Sequence, residues 1–124
     1  MVHKYAFPLT FLFVYSEEEP AGWLAQSCEI SAASDGETLD EARQMIQDAV
    51  GLLVSYELEE GQVERLARPV SPEHLAEYYS GDDVVTEYYT LVATVETEPK
   101  PKVLSLEFLP SSVVPFCRHQ PAAA

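Results

Sequence analysis

Basic side chains are scarce in this sequence. Seven Lys and Arg stand against 21 Asp and Glu, a formal net charge of −14 over 124 residues. Displacing counterions from a nucleic-acid backbone needs clustered Lys and Arg, so direct nucleic-acid binding is not expected, whereas a basic partner is. Cysteine is equally sparse. Cys28 and Cys117 share no C-x-x-C spacing and are expected as free thiols, with a single disulfide as the alternative. The five glycines fall singly, which excludes a glycine-rich phosphate loop. No apolar run approaches the roughly 20 residues of a membrane span. Pro8 and the run Glu17-Glu18-Glu19 do not resemble a signal-peptide cleavage region, so a cytoplasmic protein is expected.

What the chain does contain suits one packed domain: 47% apolar and 23% charged residues. From Tyr5 to Tyr15 the odd positions are all large (Tyr5, Phe7, Leu9, Phe11, Phe13, Tyr15) and the even ones smaller or mixed. That period of two predicts a strand over 4–15 laid across a core, with Pro8 placed where no neighbour needs its amide. Ser16 to Gly22 reads as a polar turn, followed by strands over 22–28 and 31–35.

Thr38-Leu39-Asp40-Glu41 is a capping box that opens a helix over 38–60. Leu39, Ala42, Ile46, Ala49, Val50, Leu53 and Tyr56 supply its apolar stripe, and Gly61 its stop. Gly51, costing about 1 kcal/mol against Ala inside a helix, suggests a close backbone approach. Ser71-Pro72-Glu73 opens a short helix that ends by Ser80-Gly81. Strands follow over 86–96 and 102–109, the latter with Leu104, Leu106 and Phe108 on one face. The expected organisation is a core over 1–62, a short helix and hairpin over 63–110 extending it, and a flexible tail over 111–124.

Chemistry is hard to place. His3, His74 and His119 have no second ligand at metal-binding spacing, and a Cys117–His119 pair would lie in the tail. No catalytic residue, metal or cofactor is expected, and the chain is not read as an enzyme. The acid, in contrast, is concentrated: residues 1–62 hold twelve acidic and two basic side chains, a net −10 of the −14. Glu17, Glu18 and Glu19 sit on a turn. Glu57, Glu59 and Glu60 crowd the negative end of the helix dipole, either as a solvated last turn or as a surface for a cation-rich partner. Of the aromatic pairs Tyr78-Tyr79 and Tyr88-Tyr89, Tyr88 is the better interface candidate, sharing a face with Thr86, Thr90 and Thr94.

Gly22-Trp23-Leu24-Ala25, then Ser34-Asp35-Gly36-Glu37-Thr38-Leu39-Asp40-Glu41-Ala42, then Ala49, come in the order and near the spacing of the HicB family of antitoxins. The chain resembles that family over residues 4 to about 60. It departs in lacking a Pro-Gly after the second strand and a basic C-terminal DNA-binding module. Gly36 is read as a positive-φ residue just before the helix, and Thr38 as its cap.

The resemblance implies an α+β fold with a partial RNase H-like β-β-β-α core and no nuclease chemistry. It also implies a small basic HicA-like toxin, an mRNA interferase, as partner. The alternative is a stand-alone, homo-oligomeric HicB-like binding or scaffold protein. Partner contacts are expected from Tyr15, Glu17, Glu18, Glu19, Trp23, Glu57, Glu59 and Glu60, and a homodimer or dimer of dimers from Tyr88 and Val92.

Overall fold

The computed structural model describes residues 1–18, 21–79 and 84–111, with Tyr78 and Tyr79 described in their backbone only. Glu19, the expected helix end at Ser80-Gly81, Cys117, His119 and all of the expected tail after Ser111 lie outside the described residues.

The five strands are β1 (Val2–Ser16), β2 (Gly22–Ser27), β3 (Ala32–Gly36), β4 (Val84–Glu96) and β5 (Lys102–Pro110). They form one sheet in the order β3-β2-β1-β4-β5, antiparallel throughout. The long alternating run at the start of the chain is therefore its central strand. β4 pairs with it from Val2↔Glu96 to Val14↔Val84, so the late hairpin extends the same sheet. The fold is α+β.

Helix α1 (Leu39–Glu59) crosses one face of this sheet. Thr38 Oγ1 accepts from the Glu41 amide at 3.0 Å. Among the described residues the Glu41 carboxylate does not close the return half of the box. At the other end Gly61 takes φ +70°, with Gln62 N donating to Glu57 O and Gly61 N to Leu58 O. Those paired 6→1 and 5→2 bonds form a Schellman stop, the use that sequence position predicts for a glycine.

The buried row of α1 is Ala42, Ile46, Val50, Val54 and Leu58. A row at every fourth residue advances by about 40° per step around a 3.6-residue helix, so it winds with the twisted sheet beneath it. Tyr56, expected in the stripe, is consequently left 61% exposed.

Below α1 lie Leu9, Phe11, Phe13, Ala25, Leu91, Ala93 and Val95, the inward residues of β1, β2 and β4. On β5 a bulge separates Thr94↔Ser105 from Val95↔Val103. The extra residue resets the alternation, so Val103 joins Leu106 and Phe108 on the core while Leu104 stays 51% exposed.

The opposite face is covered as well. Leu9 through Phe13 are all buried, including Thr10 and Leu12, whose side chains point away from α1. Helix α2 (Pro72–Tyr79) packs against β1 there, with His74 Nε2 3.0 Å from Gln26 Oε1. Ser71 caps it, its hydroxyl accepting from the His74 amide at 3.2 Å. The connector before it forms a 3-10 turn at Val63–Leu66 and is tied back by Ser31 N→Arg68 O and Val70 N→Cys28 O.

Because β2 ends at Ser27, opposite Phe11, the Val2–Leu9 half of β1 pairs only with β4 among the described residues. Glu29 closes the corner. Its carboxylate accepts from Thr10 N at 2.6 Å and from Thr10 Oγ1 at 2.8 Å.

Two glycines act differently from the expectation. Gly36 does not have positive φ; Gly61 alone does among the described residues. Gly36 is required sterically, since a Cβ there would lie 2.5 Å from Ala42 N. At Gly51 a Cβ would meet only the end of the Leu106 side chain, at 3.4 Å, so no backbone approaches closely.

Candidate functional site

The β1–β2 hairpin sets Tyr15 opposite Trp23, and both side chains stand on the α1 side. Their rings meet edge to face, 5.5 Å between centroids, with Tyr15 45% exposed and Trp23 half-buried. Trp23 in turn pairs with Gly36. A Cβ on Gly22 would come 2.7 Å from Gly36 O, so the strand end, the β2–β3 hairpin and the first turn of α1 are drawn together by two missing side chains. A cleft of about 320 Å³ results, lined by Ser16, Trp23, Leu24, Asp35, Glu37 and Glu41 among others.

Acid surrounds it. Glu17, Glu18, Asp35, Glu37, Asp40 and Glu41 are all exposed at this end of the sheet and helix. The one nearby cation in sequence, Arg43, is already committed. Its Nε and Nη2 donate to Glu87 at 2.8 and 2.6 Å, and its Nη1 donates to Asp40.

This Arg43–Glu87–Tyr89 cluster was not singled out from the sequence. Glu87 faces α1 from β4, and Tyr89 Oη donates to its Oε1 at 2.7 Å. The Arg43 hydrogen bonds hold the Glu87 carboxyl below its ordinary value against the opposing effect of burial. Arg43 itself is raised, chiefly by Glu87. Burial, then the bond to Glu87, push the Tyr89 phenol up to about 12. A signal was present: Glu87 occupies an odd position in a run whose other odd members are apolar, and Arg43 is the only Lys or Arg between Lys4 and Arg65. The cluster pins α1 to the sheet.

The expected partner-binding residues do not come together. Tyr15, Glu17, Glu18 and Trp23 share the cleft end, whereas Glu57, Glu59 and Glu60 lie at the far end of α1, roughly 30 Å away for a 21-residue helix. Nor is that trio uniformly solvated. Glu57 is 6% exposed, with no hydrogen-bond partner for Oε1 among the described residues, because it falls on the inward side of the helix beside Leu58. Glu59 Oε2 accepts from Val103 N at 2.9 Å, and Glu60 is exposed. Tyr88 and Val92 lie half-buried on the sheet face opposite α1, paired with Thr10 and Ala6.

Cys28 is half-buried and forms no disulfide among the described residues. Among the described residues no group of three or more His, Cys, Asp or Glu could hold a metal ion. Among them, too, no helix is long and apolar enough to cross a membrane. No family model, curated protein or solved structure matches the chain.

Proposed function

We propose that this protein is a HicB-like antitoxin that silences a small basic HicA-like mRNA interferase by covering its active surface. One observation carries the reading: an aromatic pair, Tyr15 and Trp23, sits at a cleft ringed by exposed carboxylates whose one neighbouring cation is bound to Glu87 and Asp40. The acid supplies a field that steers a basic partner into encounter, and the aromatics supply surface that holds it once water is expelled.

The order β1, β2, β3, α1 and the Gly22-Trp23 and Gly36–Ala42 segments support a partial RNase H-like, HicB-like core as the finer fold reading. On the same reading the protein acts in the cytoplasm, takes no nucleic acid directly, and self-associates through Tyr88 and Val92 as a dimer or dimer of dimers. A stand-alone scaffold of the same architecture is the other reading, favoured by the same sheet if no toxin partner exists.

The test is co-expression with any small basic reading frame adjacent to its gene. A stable complex and relief of growth arrest are expected. Glu17→Gln with Glu18→Gln should slow association and flatten its salt dependence, while Trp23→Ala should mainly speed dissociation, with folding checked by circular dichroism. No complex, or arrest that persists with excess antitoxin, leaves the scaffold reading in place.

A further inference from the structure

The stretch of β1 from Val2 to Pro8 is an open edge within the sheet. β2 ends at Ser27, opposite Phe11, and the Glu29 carboxylate caps the Thr10 amide. Among the described residues no strand pairs with that side of β1 before Thr10. Cys28 N donates to Thr10 O there, so the even-numbered backbone groups face the open side. The outward set is the N–H of Val2, Lys4 and Ala6 and the C=O of Val2, Lys4, Ala6 and Pro8. Donors and acceptors alternating at this repeat are the complement of another extended strand.

Charge and register select which strand. Residues 1–16 contain no Asp or Glu, so two copies of a −14 chain can meet along β1 without setting carboxylate against carboxylate. A closed pair of copies is two-fold symmetric, which makes the two edges antiparallel. Only a register centred on Tyr5 lets both copies use the whole stretch from Val2 to Pro8. It sets Tyr5 opposite Tyr5 of the second copy, Lys4 opposite Ala6, His3 opposite Phe7 and Val2 opposite Pro8.

Each of these pairings fits. Lys4 faces a methyl group instead of another ammonium. Pro8, which has no amide hydrogen, falls at the end of the ladder and interrupts no bond within it. His3, Tyr5 and Phe7 already stand in a row, with ring centroids 4.6 and 6.2 Å apart, and the second copy sets an equal row beside it. On the other face the exposed Val2, Ala6 and Pro8 gain apolar neighbours. A cavity of about 380 Å³, lined by Phe7, Pro8, Ile30, Leu66 and Pro69 among others, leaves room for the incoming end of the strand.

We propose that two copies of this protein join edge to edge through Val2–Pro8 of β1, making one continuous sheet. Lys4 N donates to Ala6 O and Ala6 N to Lys4 O on both sides of the axis, with Val2 N to Pro8 O at each end. The interface is backbone, distinct from the Tyr88–Val92 face, and it does not depend on the toxin reading.

The first probe is a cysteine at the axis. In a non-hydrogen-bonded antiparallel pair the Cα atoms lie about 4.5 Å apart, within disulfide range. Tyr5→Cys in the full chain should therefore form an intermolecular disulfide between the introduced cysteines under mild oxidation, located by mass spectrometry. Lys4→Cys, diagonal to its own copy at about 7–8 Å, should not.

The second probe is the edge itself. In dilute solution the separate chains should exchange the Val2, Lys4 and Ala6 amides quickly. At concentrations where sedimentation shows a dimer, the same three should slow at least about tenfold. Ala6→Pro removes an outward donor without touching a bond to β4, and should weaken the dimer at least about tenfold with an unchanged circular dichroism spectrum. A monomer at millimolar concentration, or cross-linking of Lys4→Cys as fast as Tyr5→Cys, would overturn the proposal. So would a dimer indifferent to Ala6→Pro, or one whose edge amides still exchange quickly, as contact through the Tyr88–Val92 face would give.

Discussion

The two flanks of α1 are built on opposite plans. Toward β2 and β3 the helix is pressed down: Gly22 and Gly36 leave no room for even one added carbon, and Ala25 and Ala42 are fully buried. Toward β5 it meets side chains instead of backbone: Gly51 is buried, and a Cβ there would touch only the end of Leu106, at 3.4 Å. Both flanks contain glycine, but at Gly36 the missing side chain lets backbone meet backbone, whereas at Gly51 only the end of a side chain stands close. A glycine read from sequence signals a need for space; only the neighbours say whether the space is occupied.

The largest effect should come from closing the tight flank. Gly36→Ala places a carbon against the Ala42 backbone and should destabilise the protein by about 3 kcal/mol, read as a lower urea midpoint. A change under 0.5 kcal/mol on the order of ordinary surface substitutions would mean that the first turn of α1 yields easily.

Next comes the pin between the flanks. Arg43→Ala leaves the part-buried Glu87 without its guanidinium and should cost about 2 kcal/mol.

The same pin sets a pH dependence at both extremes. Glu87 is held below its ordinary 4.5, so its contribution is present above that value and is lost as pH falls through the lower folded value. Tyr89, pushed up to about 12, contributes stability that is full below 10 and disappears as pH rises from 10 through 12. Glu87→Gln should flatten the acid limb of a stability-versus-pH curve, and Tyr89→Phe the alkaline limb.

The smallest effect, and of opposite sign, belongs to the loose flank. Gly51→Ala should stabilise the protein by about 0.5–1 kcal/mol, because the helix gains propensity and the new methyl meets only the Leu106 side chain. A loss of stability there would show that Leu106 is held more tightly than its 3.4 Å contact implies.

Elements whose pattern is local were legible in the sequence. The strands alternate, Thr38 and Gly61 mark the ends of α1, and Ser71-Pro72 opens α2, all within a few residues of each other. Features that depend on a distant neighbour were not. The bulge that turns Leu104 outward needs the β4 register, and the burial of Leu12 needs α2 on the second face. Glu57 falls seven residues after Val50 and three after Val54, so helical spacing does place it inward; its acidic side chain is what concealed this in a reading by apolar residues. Of the candidate site, the Tyr15–Trp23 pairing follows from the hairpin, while the distance to Glu59 and Glu60 follows from the length of α1 lying between them.

The half-paired N-terminal stretch of β1 has a kinetic consequence. Cys28 N→Thr10 O and Thr97 N→Met1 O fix the alternation, so even-numbered backbone groups look away from β4 and odd-numbered ones toward it. The amides of Val2, Lys4 and Ala6 therefore face the open side and should exchange with solvent deuterium quickly, while those of Tyr5, Phe7 and Leu9 are held by β4 and exchange slowly. Pro8 falls on the fast parity, where it has no hydrogen to exchange and none to offer an incoming strand. A strand at the centre of the sheet for half its length thus behaves as an edge for the other half. Along it, protection should flicker residue by residue instead of fading smoothly toward the end.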